Sequence, residues 1–332
     1  MKKSIILLII SLFISCKHNE SLKTNLISRT SIDKLISENE IKEFIVKIDT
    51  NLIKFKLSKP NNFKSLFSDE NCKKIGDSLK ITSSFIKEDF DNNGYTDLLF
   101  TGIYYDDFYI YILKSYGENK YKIDCVFSGE GRKIVYPKLN YIDGIPVLDL
   151  YARRKEFDET LKKTIIDKTT LLFKYGKFIE YNPNPIKKDI SKIEYSTSGC
   201  FGSCPVFDLT INKNGKSIFK AKSNNFIKII SNSYGTFIIP DTSKKEGGTF
   251  FLEQINQKKY KELVEMLNYI NFEKLKDYYS VNWSDDQTGT LKITYNNGKV
   301  KTIRDYGLTG TYGLNLIYNK ISELRFSEKW KQ

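Results

Sequence analysis

Histidine is almost absent from this chain of 332 residues. The single histidine is His18, close to the N-terminus. The rest of the chain therefore cannot supply Ser-His-Asp or Cys-His nucleophile activation, nor a histidine-ligated zinc site. General acid–base catalysis by paired carboxylates is the catalytic chemistry that this composition leaves open.

The chain also lacks an apolar run long enough to cross a membrane. Residues 5–14 are apolar except for one serine, and a spanning helix needs about 20 such residues. Two lysines precede the run, and Ser15 precedes Cys16, so the N-terminus resembles a bacterial lipoprotein signal. Phe13 stands where that signal usually has leucine. The resemblance implies a signal peptide over residues 1–15 and an acylated, palmitate-bearing Cys16; an ordinary cleaved signal is the alternative.

Acidic residues are fewer than basic ones, and the formal net charge is +13. A basic exported protein is able to bind nucleic acid, anionic lipid or an acidic glycan. The lysines are spread evenly, without a cluster of five, which is typical of a compositional bias. We therefore expect no nucleic acid as partner, but a membrane held through the N-terminal lipid and an unidentified envelope protein or glycan. Lys17 follows the anchor where aspartate would retain a lipoprotein at the inner membrane, which favours the outer membrane.

Cysteines are few, with five in the whole chain. Lipidation of Cys16 would leave four, and an even number in an oxidising compartment indicates two disulfides, for which three connectivities exist. Proximity in sequence favours Cys200–Cys204 together with Cys72–Cys125.

Hydrophobic alternation predicts a mainly β N-terminal domain over residues 31–181, after a polar tether over residues 16–30. Residues 44–48 and 53–57 alternate on either side of Asp49-Thr50-Asn51, which predicts a hairpin. No helical stretch is expected between about residue 50 and residue 180. Further strands are predicted at Leu79–Phe85, Phe108–Leu113, Tyr121–Phe127, Pro146–Tyr151 and Thr169–Tyr175.

Two prolines within four residues, Pro183 and Pro185, predict a linker over residues 182–190. Residues 191–332 are then expected to form a small α+β domain, an antiparallel sheet with two helices. The turn pairs Asn214-Gly215 and Asn297-Gly298 predict two hairpins. Apolar residues at helical spacing predict helices over residues 260–270 and 314–324. The expected strands of this domain are Ile193–Ser196, Val206–Ile211, Lys216–Ala221, Leu291–Tyr295 and Val300–Ile303.

A loop with two cysteines, two glycines and a proline leads into the first of these hairpins. It covers residues 198–205, with the sequence Ser-Gly-Cys-Phe-Gly-Ser-Cys-Pro. Together with the elements downstream, roughly Ile193 to Phe326, it resembles domain-of-unknown-function family 6438, which implies no activity and no catalytic residue. For the pair Cys200 and Cys204 we favour a structural disulfide. A redox dithiol would normally be Cys-x-x-Cys at a helix start, and zinc would need four ligands.

Residues 89–97, with the sequence Asp-Phe-Asp-Asn-Asn-Gly-Tyr-Thr-Asp, form the sharpest chemical motif. Oxygen-bearing side chains occupy positions one, three, five and nine, glycine occupies position six, and a backbone carbonyl at position seven completes a set suited to calcium. Phe100 at position twelve excludes an EF-hand. The motif resembles the calcium loop of VCBS or FG-GAP repeats; the alternative is a polar turn without an ion. The predicted ligands of a structural calcium ion are Asp89, Asp91, Asn93, Tyr95 and Asp97.

These features predict a lipid-anchored envelope protein with a non-catalytic binding or scaffolding role. The alternative is a hydrolase of envelope glycan or peptide that uses Asp285 or Asp286, which follow Trp283, with an acid distant in sequence. A third alternative, thiol redox chemistry, requires free thiols at Cys200 and Cys204.

Overall fold

Antiparallel β-sheets are the main secondary structure of the described residues, as predicted. The computed structural model describes residues 29–62, 70–129, 134–153, 166–232, 235–241 and 246–332. The predicted signal peptide, the predicted lipidation site Cys16 and residues 16–28 of the predicted tether lie outside the described residues. Among the described residues, no helix combines the length and the apolar character that crossing a membrane requires.

The first sheet is centred on one strand that is buried on both faces. The sheet contains β1 (Lys56–Leu57), β2 (Phe85–Glu88), β3 (Asp97–Tyr104), β4 (Asp107–Ser115) and β5 (Tyr121–Ser128). Strand β3 pairs with β1 and β2 along one edge and with β4 along the other, and β4 pairs with β5. Leu98 and Phe100 belong to one apolar layer and Leu99 to another, because successive strand residues point to opposite faces.

Each face of this sheet is covered by a different element. On one face, Ile41 and Ile45 of helix α1 (Glu38–Ile48) pack against Leu98 and Phe100. On the other face, Leu99 belongs to an apolar layer shared with a four-stranded antiparallel sheet. That sheet runs in chain order through β6 (Val135–Ile142), β7 (Ile145–Arg153), β8 (Ile166–Lys174) and β9 (Lys177–Glu180).

The hairpin predicted over residues 44–57 is wrong. Its first half belongs to α1, and its second half is a short 3-10 helix (Thr50–Lys54) followed by β1. The Ser37 hydroxyl accepts a hydrogen bond from the Glu40 amide while the Glu40 carboxylate accepts one from the Ser37 amide, a capping box that starts the helix. This Ser-x-x-Glu signal outweighs the alternation at residues 44–48.

A second correction concerns residues 70–85. Helix α2 (Glu70–Ser78) lies where no helix was expected, and of the predicted strand Leu79–Phe85 only the last residue is in β2. The other strands predicted before residue 180 are confirmed within β4, β5, β7 and β8.

The C-terminal part is built on a seven-stranded sheet. Its order is β15-β12-β11-β10-β17-β18-β16, and it is antiparallel except for the parallel pair of β16 and β18. An entirely antiparallel sheet was expected, so this pair is a correction. The strands are β10 (Ile190–Thr197), β11 (Val206–Asn212), β12 (Ser217–Ser223), β15 (Thr249–Leu252), β16 (Tyr278–Ser280), β17 (Thr288–Tyr295) and β18 (Lys299–Tyr306), with a separate hairpin of β13 (Ile227–Asn232) and β14 (Gly235–Pro240).

Two helices cover one face of the seven-stranded sheet, as predicted. Leu263 and Leu267 of α3 (Gln257–Tyr269) and Ile317 of α4 (Tyr312–Ser327) share one apolar core with the inward residues of β10, β11 and β17. At the N-terminus of α4, the Glu180 carboxylate accepts hydrogen bonds from the amides of Tyr312 (2.7 Å) and Gly313 (2.9 Å). The end of β9 is thereby tied to a helix of the C-terminal part.

Candidate metal centre

The candidate site is the loop that joins β2 to β3. The two strands pair with Glu88 opposite Asp97, so the chain leaves the sheet and returns to it at neighbouring positions. Asn92 and Gly94 have positive φ angles of 55° and 86°, a conformation that glycine adopts at little cost. The chain therefore makes a tight turn at Gly94.

Three carboxylates converge inside this loop. One oxygen from each of Asp89, Asp91 and Asp97 lies within 4.8 Å of the others. Asp97 is fully buried and Asp89 is 7% exposed, whereas Asp91 is partly exposed. In the part of the chain that the structure describes, no second group of three or more histidine, cysteine or acidic side chains converges in this way.

Backbone amides hold the first of these carboxylates in place. Asp89 accepts hydrogen bonds from the amides of Asn93 (3.0 Å) and Gly94 (2.8 Å). The Asn93 side-chain oxygen accepts one from the Tyr95 amide at 2.8 Å. The loop is therefore already wrapped around the acidic cluster, which reduces the ordering that ion binding would need.

The end of β4 fixes the other side of the loop. Asp97 accepts hydrogen bonds from the amides of Ser115 (2.9 Å) and Phe90 (3.1 Å). The Asn93 side-chain amide donates to the Ser115 carbonyl at 2.8 Å. The Tyr95 ring lies against Gly117, where a Cβ atom would come within 2.7 Å of it. The side chain of Tyr95 is thus used in packing, which is consistent with its predicted role through the backbone carbonyl.

The three carboxylates of this cluster repel one another. Burial raises the pKa of Asp97 to about 7, and repulsion from the Asp91 carboxylate adds to the effect. Burial also raises the pKa of Asp91, and repulsion from Asp89 adds to that. Among the described residues, no lysine or arginine nitrogen lies within 4.0 Å of these three carboxylates. A divalent cation would relieve this repulsion, and an all-oxygen set suits calcium.

A second ordered loop lies in the C-terminal part. Cys200 and Cys204 form a disulfide with their Cα atoms 5.7 Å apart, as predicted. The Gln287 side-chain amide donates to the carbonyls of Ser198 (2.8 Å) and Pro205 (2.9 Å) and so joins the two ends of the loop. The loop leads into β11 of the seven-stranded sheet.

This combination of loop, sheet and two helices has a known counterpart. Residues 191–325 match the family model DUF6438, a domain of unknown function. The segment is similar to that family and is called the DUF6438 domain. The match agrees with the predicted extent, roughly Ile193 to Phe326, and runs from β10 into α4 of the DUF6438 domain. No curated protein and no solved structure matches the chain.

The contacts of Gln287 have no signal in the local sequence. Gln287 is about 90 positions from Ser198, and only the pairing of β17 with β10 brings the two together. At 7% exposure its amide is nearly buried, and the loop carbonyls satisfy it. The exposed ring of Phe201, 91% accessible, stands at the tip of this fixed loop in the DUF6438 domain.

Asp285 and Asp286, the acidic pair predicted for the alternative hydrolase function, make hydrogen bonds within the C-terminal part. The Asp286 carboxylate accepts a hydrogen bond from the Trp283 indole at 2.9 Å. Asp285 is exposed, and its carbonyl accepts a hydrogen bond from the Phe201 amide at 2.9 Å. The segment around Asp285 and Asp286 thus supports the cysteine loop of the DUF6438 domain through the hydrogen bond with Phe201.

The second predicted disulfide stays a prediction. Cys125 lies on β5, whereas the side chain of Cys72 lies outside the described residues.

Proposed function

We propose that this protein is a lipid-anchored protein of the bacterial envelope whose N-terminal sheets are stabilised by one calcium ion. Its role is binding or scaffolding toward an envelope protein or glycan. The observation that carries the proposal is the convergence of Asp89, Asp91 and Asp97 in a loop already closed by its own hydrogen bonds. Asn93 and the Tyr95 carbonyl supply the remaining protein oxygens.

The proposed ion has a structural role. Its ligands connect the end of β2, the start of β3 and, through Ser115, the end of β4. Binding would tie together the strand ends on which both apolar layers of the first sheet depend. Three carboxylates correspond to a modest dissociation constant, on the order of 10⁻⁴ M.

Calorimetric titration of the purified chain tests calcium binding. We expect one site for calcium and weaker binding of magnesium, which is smaller and requires a near-octahedral ligand set. Asp89→Asn should weaken calcium binding by about tenfold or more, because it removes a buried anionic ligand. The matched control is Asp106→Asn, an exposed acid in the turn between β3 and β4. The calcium site would be contradicted if the wild-type chain gave no heat of binding. It would also be contradicted if Asp89→Asn and Asp106→Asn lost the heat of binding equally.

The lipid anchor is proposed at Cys16 and is tested separately. Cells that express the chain are fed an alkyne analogue of palmitate, and the labelled protein is followed into separated inner and outer membranes. We expect label on the wild-type chain, mostly in the outer membrane, and none on Cys16→Ser. Equal labelling of the two would show that the anchor lies elsewhere.

The domain layout is also part of this proposal. Residues 31–181 form the β-rich domain, residues 182–190 the linker and residues 191–332 the α+β domain. In support, residues 182–189 contain no helix or strand, and no sheet contains strands from both sides of them among the described residues.

A further inference from the structure

A basic cleft lies between the first sheet and helix α4, next to the end of β4 that also contacts the acidic loop. Its volume is about 640 Å³, within the range of small-molecule sites. Lysines from β4, β5 and β9 line one wall, and residues of α4 line the other. The charged side chains that line the cleft are Lys114, Lys122, Lys177, Lys320, Glu323 and Arg325.

The first wall has more positive charge than its carboxylate can balance. Asp124 accepts contacts from Lys114 and Lys177, each at 2.7 Å, and from Lys122 at 3.8 Å. Burial alone would raise the pKa of Asp124, but the two closer ammonium groups hold it below its usual value. One negative charge therefore faces three positive charges, and Lys122 and Lys177 keep side-chain exposures of 61% and 43%.

The opposite wall adds the guanidinium of Arg325, which makes no ion pair within 4.0 Å in the described part of the chain but is attracted by Glu246. Arg325 donates to the Ser322 carbonyl and to the Asn225 side chain, both at 3.1 Å, and it lies over the Phe207 ring. Burial lowers the pKa of Arg325 to about 10, so it remains charged at neutral pH. Lys320 on the same helix lies 3.7 Å from Glu323 and 4.0 Å from Glu262. The excess of positive charge in the cleft is therefore concentrated on the first wall.

We propose that this cleft binds a phosphate group. Its cations come from three strands and a helix and approach from different sides, which suits a tetrahedral oxyanion. Lysine ammonium groups act as point donors to phosphate, and the first wall, with three ammonium groups against one carboxylate, matches the charge of a phosphomonoester dianion. Low-dielectric walls concentrate this potential inside the cleft. The phosphate comes from a soluble phosphomonoester or from a lipid headgroup.

The test uses one probe for each source. The purified chain, treated with a chelator to remove calcium, is titrated at low salt with glycerol phosphate. In parallel it is mixed with phosphatidylcholine vesicles that contain phosphatidic acid. Saturable binding in the first assay indicates a soluble ligand, and binding in the second assay alone indicates a headgroup. Acetate, a monovalent carboxylate, should bind more weakly than glycerol phosphate.

Variants distinguish this cleft from general attraction to a basic protein. Lys177→Gln and Lys122→Gln should each weaken binding by about tenfold, since each removes a charge-assisted contact. The matched control is Lys168→Gln, because Lys168 is 45% exposed and pairs with Asp149 at 2.9 Å outside the cleft. Having two cleft variants protects the test if one of them fails to fold. No saturable binding of either probe, or an equal loss in the control, would overturn the proposal.

Discussion

At the scale of single residues, Asp97 meets two opposing demands. It is fully buried and receives two backbone hydrogen bonds, so its position is fixed, yet two other carboxylates crowd its charge. In the ion-free fold the pKa of Asp97 is about 7. The value in an unfolded chain is about 3.9. The fold therefore favours the protonated carboxyl, whereas a calcium ion requires the ionised one.

The pH dependence of calcium affinity follows from this conflict. In the ion-free protein, the stabilisation from protonated Asp97 is complete below about pH 4 and is lost as the pH rises through about 7. Calcium affinity should change in the opposite direction, rising by up to about tenfold per pH unit toward pH 7 and levelling above it. Calorimetric titrations at several pH values measure this. Equal dissociation constants at about pH 5.5 and about pH 7.5 would show that Asp97 is not a ligand.

At the scale of secondary-structure elements, the features that could be predicted were those with a signal in neighbouring residues of the sequence. Asn297 and Gly298 both have positive φ, as expected of that hairpin turn, and the helical stripes of α3 and α4 were visible in sequence. Helix α1 was missed because the prediction followed the alternation at residues 44–48 and did not use the capping box of Ser37 and Glu40. The loop of residues 89–97 was visible because its candidate ligands are close in sequence.

Contacts between distant residues could not be predicted in the same way. The Gln287 amide meets Ser198, and the Asp124 carboxylate meets Lys177, only after strands have paired and layers have packed. Nothing in the local sequence around Gln287 or Lys177 specifies these partners. The acidic loop was thus accessible from sequence, and the basic cleft was not.

The contact between Glu180 and helix α4 gives a prediction at this scale. Glu180→Gln should lower the free energy of unfolding by about 1 kcal/mol, because an amide offers one acceptor oxygen and no charge to the helix N-terminus. Urea denaturation measures the change. Glu118→Gln is the control, since the Glu118 side chain is 84% exposed and should have little effect. Equal stability of both variants would show that the Glu180 contact contributes nothing measurable.

At the scale of the whole molecule, the basic cleft depends on how the two parts meet. Its lysines belong to the N-terminal sheets, and Lys320 and Arg325 belong to the DUF6438 domain. The Glu180 contact lies at the same junction and fixes the start of the helix that forms one wall. A DUF6438 domain separated from the sheets would therefore lose most of the cleft's positive charge.

Two neighbouring residues at the end of β4 connect the acidic loop with the basic cleft and would couple binding at the two sites. Lys114 faces the cleft and is attracted by Asp91, whereas the main chain of Ser115 holds Asp97 and Asn93 in the acidic loop. Calcium would neutralise the carboxylates behind Lys114 and raise the positive potential in the cleft.

We expect glycerol phosphate to bind more tightly with calcium present. The affinity for calcium should rise by the same factor when glycerol phosphate is present, because linkage is reciprocal. Asp89→Asn should abolish the gain, and an unchanged gain in that variant would trace it to calcium phosphate complexes in solution. Such coupling would make the protein respond most strongly when calcium and phosphate are present together.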